Sequence, residues 1–159
     1  MAVDTSAIGK RTGAWRVVLD RSVLAKFARA CGDTSAAYCG ADPPAPPTFT
    51  FAAPYWSTLS SAEQPPDPIA GGANPMHTIM GELFAKGALV LHGEQEFDYH
   101  RTPVAGDVLD GVQTITDIYE KTTDSAHMTF VVMETVWTDA ARGEPVVTER
   151  FNLIARLKK

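Results

Sequence analysis

His92-Gly93-Glu94-Gln95-Glu96-Phe97-Asp98-Tyr99-His100-Arg101-Thr102-Pro103-Val104-Ala105-Gly106-Asp107 is the stretch on which the reading of this chain turns. Its first half follows the apolar run Ala88 to Leu91, yet carries more ionisable and amide groups than a plain core strand tolerates. Its second half, with Pro103, Gly106 and Asp107, has the chemistry of a turn. In a regular strand His92 shares a face with Glu94, and residues three apart point to opposite faces. His92 and Gln95 face one groove together only if Gly93 opens a bulge that shifts the register by one. We therefore expect a bulge near Gly93 and a groove-facing pair, His92 and Gln95. The alternative is a solvated edge strand.

Outward from this stretch, segments 88–100, 107–120, 126–138 and 145–157 are rich in Val, Ile, Thr, Phe, Tyr and Trp and are separated by turn residues. In the third, Met128, Phe130, Val132, Glu134 and Val136 face one way, and His127, Thr129, Val131, Met133, Thr135 and Trp137 the other. Both faces carry apolar residues, so one should meet a helix and the other a partner. Asp139 to Glu144, with Gly143, reads as a hairpin turn. On the N-terminal side, Ala14 to Leu19 alternates as a short strand, and Asp20 is a helix N-cap. Val23, Leu24, Phe27, Ala28 and Cys31 then share a helical face, which predicts Cys31 as a small core residue. Gly32 ends that helix. The four prolines between 39 and 47 exclude regular structure. A second helix is expected over Phe49 to Ser61, its regular part starting as late as Ala52 or Ala53 where Pro54 is held to a first turn. Residues 62–75 read as a loop, and Met76 to Lys86 as a short helix or an irregular segment. The expectation is one α+β domain over 1–159. Periodicity alone leaves several α+β sandwiches open.

Composition narrows the function. The chain has 159 residues, 45% hydrophobic and 21% charged, and a net charge of −5. These are values for a folded domain, and the acidic balance argues against nucleic-acid binding. No apolar run approaches the roughly 18–20 residues of a membrane span, and Met1 to Lys10 lacks a signal-peptide core. A cytoplasmic protein is the default. The two cysteines, Cys31 and Cys39, form no disulfide framework, and with His77 and His92 they lack any zinc-type pairing, so no metal is expected. Neither GxGxxG, a P-loop nor a GxSxG elbow occurs, and no cofactor is expected.

Gly32-Asp33-Thr34-Ser35-Ala36-Ala37-Tyr38, then Pro46-Pro47-Thr48-Phe49, then His92 to Asp107, in that order, resemble the MaoC-like dehydratases, in particular their FAS1-like dehydratase (N-terminal MaoC) branch. The resemblance covers roughly residues 8–157. It implies a hot-dog fold, a long central helix wrapped by an antiparallel sheet, and hydro-lyase chemistry: hydration of enoyl thioesters or dehydration of 3-hydroxyacyl thioesters, with acyl-CoA as substrate. The family pattern is Gly-Asp-x-Asn-Pro-x-His, whose carboxylate and imidazole share a water. Here Gly32 and Asp33 match, Ser35 and Ala36 stand for Asn and Pro, and Tyr38 stands for His. The resemblance makes Asp33 and Tyr38 the catalytic positions, but a phenol with a free pKa near ~10 is a poor general base at neutral pH. If the chain is itself catalytic, Asp33 should matter more than any other carboxylate.

Tyrosine at this position also resembles the non-catalytic partner chains of heterodimeric dehydratases. The chain is thus read as a hydro-lyase or a subunit of one, or alternatively as an acyl-binding partner subunit. A hot-dog thioesterase, with Glu94 activating water, is a third reading. Backbone N–H groups at the Pro-Pro-Thr-Phe helix start can polarise a thioester carbonyl. With Thr48 and Phe49 there, His92 and Gln95 complete the expected substrate-binding set. His100 and Arg101 read as surface charge or a coenzyme A phosphate contact. Gly72-Ala73-Asn74-Pro75-Met76-His77 is a rival match to Asn-Pro-x-His, but it follows the Pro-Pro-Thr-Phe element instead of preceding it. A homodimer, or a heterodimer with another hot-dog chain, is expected.

Overall fold

The computed structural model of the chain describes residues 4–11, 15–60 and 75–159. A short strand β1 (Trp15–Val18) leads into helix α1 (Arg21–Ala30). Asp20 caps α1 by accepting from the backbone N–H groups of Ser22 and Val23. A 3₁₀ turn (Ala36–Cys39) and a proline loop precede α2 (Phe49–Ser60), and α3 (Pro75–Ala85) follows. Four long strands then run in sequence: β2 (Leu89–Tyr99), β3 (Val108–Thr122), β4 (Ala126–Asp139) and β5 (Pro145–Lys158). They form an antiparallel five-stranded sheet in the order β1-β3-β4-β5-β2.

The strand segments read from the sequence match β2 to β5 closely, and the Thr129-to-Trp137 face of β4 is the buried one. Two expectations need correction. Cys31 is exposed: it caps α1 after the apolar stripe has ended at Ala28. α2 begins at Phe49, the start read for this helix, and Pro54 sits inside it instead of in a first turn. The helical layer is built from α2 and α3, and residues 61–74 between them lie outside the described residues. The loop read over 62–75 falls almost wholly on them. Prolines of the 39–47 loop do more than interrupt structure. Ala45 N–H donates to the Pro103 carbonyl at 2.8 Å and Ala105 N–H to the Pro43 carbonyl at 2.9 Å, so the loop is laced to the turn after β2.

Two apolar clusters cover the inner face of the sheet. One gathers Ile79, Leu83, Ile115, Val131 and Met133, and the other Leu24, Phe49, Leu109, Trp137 and Val147. The register explains the division between them. Gln113 pairs with Thr135, Thr135 with Glu149, and Glu149 with Phe97, so a row holding three polar side chains crosses the sheet between the clusters.

Candidate functional site

Asp33 is placed by the end of α1. Gly32, at φ +81°, donates its N–H to the Arg29 carbonyl (3.0 Å), and Asp33 N–H reaches the Ala28 carbonyl (2.9 Å). This is the Schellman arrangement, and it needs a residue without a Cβ at Gly32. The Asp33 carboxylate accepts from Ser35 N–H at 2.9 Å, and Ser35 Oγ accepts from Ala37 N–H at 3.2 Å, which starts the 3₁₀ turn carrying Tyr38. Asp33 and Tyr38 line one open cleft of about 700 Å³, with Arg21, Ala25 and Arg29 of α1 and Cys39 around them. Burial raises the Tyr38 phenol above its ordinary value, and the nearby Asp33 charge and Cys31 add to this. The cleft therefore holds an exposed carboxylate and a protonated phenol, which donates a hydrogen bond and does not accept a proton near neutral pH.

Thr48 precedes α2 with φ +71°, a left-handed conformation that is costly for a β-branched residue. Its N–H points to the Tyr99 hydroxyl at 3.4 Å, and burial raises that phenol above its ordinary value. Phe49 does not face a groove. It is buried edge-on against Phe27, with ring centroids 5.2 Å apart, so its part here is packing.

On β2 the expected bulge is present. His92 pairs with Leu153 and Glu94 with Asn152, leaving Gly93 as the extra residue. A Cβ on Gly93 would stand 2.8 Å from Ile154 Cδ1 and 2.9 Å from the Asn152 carbonyl oxygen, which is why this residue has no side chain. The shift puts His92 and Gln95 on one face. The His92 ring lies 4.5 Å from Phe151 and 5.6 Å from Phe51 of α2. Gln95, opposite Phe151, keeps a buried Nε2 with no hydrogen-bond partner. Glu94 is exposed, on the opposite face, within 3.5 Å of Asn152 Nδ2.

Sequence reasoning missed Glu149. Only 5% exposed, it accepts from Thr50 Oγ1 at 2.9 Å, with the Trp137 and Thr135 side chains also bonded to it. Burial raises its carboxyl above the ordinary value of 4.5, against the opposing pull of those three donors. The signal was present in the strand parity, since Glu149 alternates in phase with Val147 and Phe151. Arg101 is also reassigned. Its guanidinium is spent on Asp107 (2.6 and 3.1 Å) and Asp139 (3.0 Å), which fastens the turn after β2 to the β4–β5 hairpin. His100 Nε2 contacts Thr148 Oγ1 at 3.0 Å. The rival motif from Gly72 begins outside the described residues.

The expected site residues thus fall into separate groups. Asp33 and Tyr38 share the α1 cleft, whose lining includes none of Thr48, His92 and Gln95. Thr48 and Tyr99 meet at the start of α2, and His92 and Gln95 face the aromatic pair Phe51 and Phe151. Among the described residues no group of three His, Cys, Asp or Glu side chains is placed to hold a metal ion. No helix among them is long and apolar enough to cross a membrane.

A sheet curled over a helical layer, with an acid turn at the end of α1 and a tight turn into α2, defines a hot-dog protein of the dehydratase type. Solved structures carry the same fold. The HadBC (3R-hydroxyacyl-ACP dehydratase) complex of Mycobacterium tuberculosis aligns with a TM-score of 0.64 at 18% identity, over 96% of this chain and 99% of that one. The ChsH1–ChsH2 complex of the same organism aligns with a TM-score of 0.67 at 16% identity, over 91% and 83%. A UPF0336 protein of Streptomyces griseus is 33% identical over 98% of this chain and 97% of its own. Residues 6–149 match the model of the FAS1-like dehydratase domain region, and the chain belongs to that family, within the MaoC-like hot-dog group.

Proposed function

We propose that this chain is a subunit of a cytoplasmic hydro-lyase that hydrates enoyl thioesters, or dehydrates 3-hydroxyacyl thioesters, and that a second hot-dog chain supplies the acid–base pair. One observation carries this reading: the acid turn at Asp33 faces a phenol that stays protonated, in the place where the chemistry needs an imidazole. Hydration adds a hydroxyl to the β-carbon of the enoyl thioester and a proton to the α-carbon. A base takes the other proton of the water and returns it to the α-carbon. Asp33, engaged with Ser35 N–H and without a neighbouring imidazole, lacks the second half of that relay. The family membership and the two-chain neighbours support a subunit role.

In this reading the chain contributes binding. At the head of α2 the Thr48 N–H, which here donates to the Tyr99 hydroxyl, is the backbone donor we assign to the thioester carbonyl, and the substrate takes it over from Tyr99. The free Gln95 amide and the His92 ring supply polar contacts beside the Phe51–Phe151 apolar surface, on which an acyl chain of acyl-CoA lies.

The test is loss of enoyl-thioester absorbance from crotonyl-CoA. The chain alone should show none. Adding a hot-dog chain that carries Gly-Asp-x-Asn-Pro-x-His should give turnover. In that assembly Asp33→Asn should leave the rate within about twofold, while the same change in the partner's motif should cost roughly 10²-fold or more. Turnover by the chain alone, abolished by Asp33→Asn, would replace this reading with a self-sufficient enzyme.

A further inference from the structure

We infer that the free edge of β2 selects its partner by charge, taking a basic strand from a non-identical chain in preference to a second copy of this one. The inference rests on the subunit reading above and specifies the chemistry of the partner. β2 is the last strand of the sheet, eleven residues long, and among the described residues nothing pairs with its outer side. The other edge, β1, has four residues, too few for a stable added ladder.

The Gly93 bulge divides the outward-facing side chains of β2 into two blocks. Leu89 and Leu91 precede it, exposed at 57% and 40%. Glu94, Glu96 and Asp98 follow it, and the Glu96 and Asp98 side chains are 60% and 70% exposed. Among the described residues the cation that reaches these acids is Arg150 of β5, while Arg156 lies opposite Leu89 at the other end of the strand. Arg150 is held by Glu134 at 2.9 Å and reaches Glu96 and Asp98 only at 3.6 and 3.7 Å. One guanidinium thus faces three carboxylates before Glu94 is added, and the block keeps a net negative charge.

A two-fold antiparallel pairing of β2 with its copy brings these acids together. Centred on Glu96, it sets Glu94 against the copy's Asp98 and the two Glu96 carboxylates against each other. Centred on Glu94, it sets the two Glu94 carboxylates opposite, with Glu96 on the diagonal. Like charges directly opposite destabilise a ladder. A register slipped far enough to avoid them engages only the Leu89–Leu91 end. Acids on an edge can also serve simply to keep it solvated. Here that purpose is contradicted by the exposed leucines. Leu91 continues through Ile154 and Phe130 to Tyr119 as an apolar row across four strands, so this edge carries apolar surface to cover as well as charge. The partner strand that fits presents Lys or Arg opposite Glu94, Glu96 and Asp98, and apolar side chains opposite Leu89 and Leu91.

A charge-reversed copy of this chain is the probe. The variant Glu94→Lys, Glu96→Lys, Asp98→Lys is mixed with the wild type, and association is followed by sedimentation equilibrium at low and high salt. The mixture should assemble about tenfold or more tightly than either chain alone. The advantage should vanish near 1 M salt, where screening reaches a few ångströms, and β2 amides should gain exchange protection only in the mixture. If the reversed variant fails to fold by circular dichroism, the neutral variant Glu94→Gln, Glu96→Gln, Asp98→Asn should self-associate about tenfold more tightly than the wild type. A wild-type homodimer at low salt with protected β2 amides overturns the inference. So does a mixture, or a neutral variant, no tighter than the wild type. No substrate enters this experiment, so its failure leaves the hydratase reading to the turnover assay, and failure there leaves this result standing.

Discussion

The Asp33–Tyr38 turn and the Glu149 row are both polar, and they are held in opposite ways. In the turn the hydrogen bonds that set Asp33 and Tyr38 span a few residues: Asp33 to Ser35, Ser35 to Ala37, Gly32 to Arg29. It is exposed, and its conformation is written in adjacent letters of the chain. The Glu149 row joins α2 to β5, 99 residues apart, in the middle of the core, and Gln113 Nε2 extends it to Thr135 at 3.3 Å. A local turn at the surface can lose a side chain without consequence for the fold. A buried long-range contact cannot, because each remaining donor is left without water or acceptor.

The comparison breaks first, if it breaks, at Gly111, beneath Trp137 in the row next to Glu149. A Cβ there would stand 2.5 to 2.8 Å from the Trp137 ring, which has no free direction to move. Gly111→Ala should destabilise by about 3 kcal/mol, the upper end of overpacking costs, read as a shift in the urea midpoint. An unchanged midpoint would mean the core is looser than described.

Glu149 comes next. Glu149→Leu leaves the Thr50, Thr135 and Trp137 donors facing a hydrocarbon, at about 2 kcal/mol. Glu149→Gln retains an acceptor for Thr50 and separates charge from shape. Because the folded-state pKa is raised, the proton-linked stabilisation is fully present below the ordinary value of 4.5 and is lost as pH rises through the folded value. The wild type should therefore lose stability as pH increases above that point, and Glu149→Gln should flatten the slope. Parallel curves for the two proteins would show that the carboxyl is ionised in the fold.

A smaller effect, of opposite sign for stability and binding, is expected at Gln95. Gln95→Leu removes a buried amide with no partner and should stabilise slightly, by up to about 1 kcal/mol, while weakening acyl-CoA affinity. His92→Ala should weaken the same affinity, both measured by isothermal titration. Unchanged binding in either one would detach that residue from the groove despite the bulge. The smallest effects belong to the turn. Tyr38→Phe and Asp33→Asn should each stay within about 0.5 kcal/mol of wild-type stability, and a larger loss would place the turn in the folding core.

The same contrast explains what was legible in the sequence. The four long strands, the Asp20 cap, the Gly32 stop and the Gly93 bulge follow from local propensity and parity, and the structure has them. Cys31 was misread because a helical stripe was extended past the last helical residue, Ala30, onto the C-cap that the Schellman turn carries to the surface. Pro54 was misread because α2 accepts a proline inside it. Thr48 and Gln95 could be named, but not the strained φ of one or the unsatisfied amide of the other. Arg101 looked like surface charge because its partner Asp139 lies 38 residues further along the chain. Glu149 has the parity of Val147 and Phe151, but its role was not legible because a buried acid is recognised by what surrounds it, and Thr50, Thr135 and Trp137 come from two other elements.

Gly93 has one more consequence. It works as a change of phase in a two-letter rhythm: before it even-numbered residues of β2 turn inward, and after it odd-numbered ones do. A substitution at Gly93 meets a local clash, whereas its deletion would remove the extra residue and join inward-facing His92 to outward-facing Glu94, so every face beyond it would be kept. Straightening the strand with Gly93 retained would do the opposite: Gln95, Phe97 and Tyr99 would turn to the outside, and Glu94, Glu96 and Asp98 would be driven onto Phe151, Glu149 and Val147. A homologous chain one residue shorter at this point should therefore keep the same order of apolar and acidic positions on both sides of the missing residue.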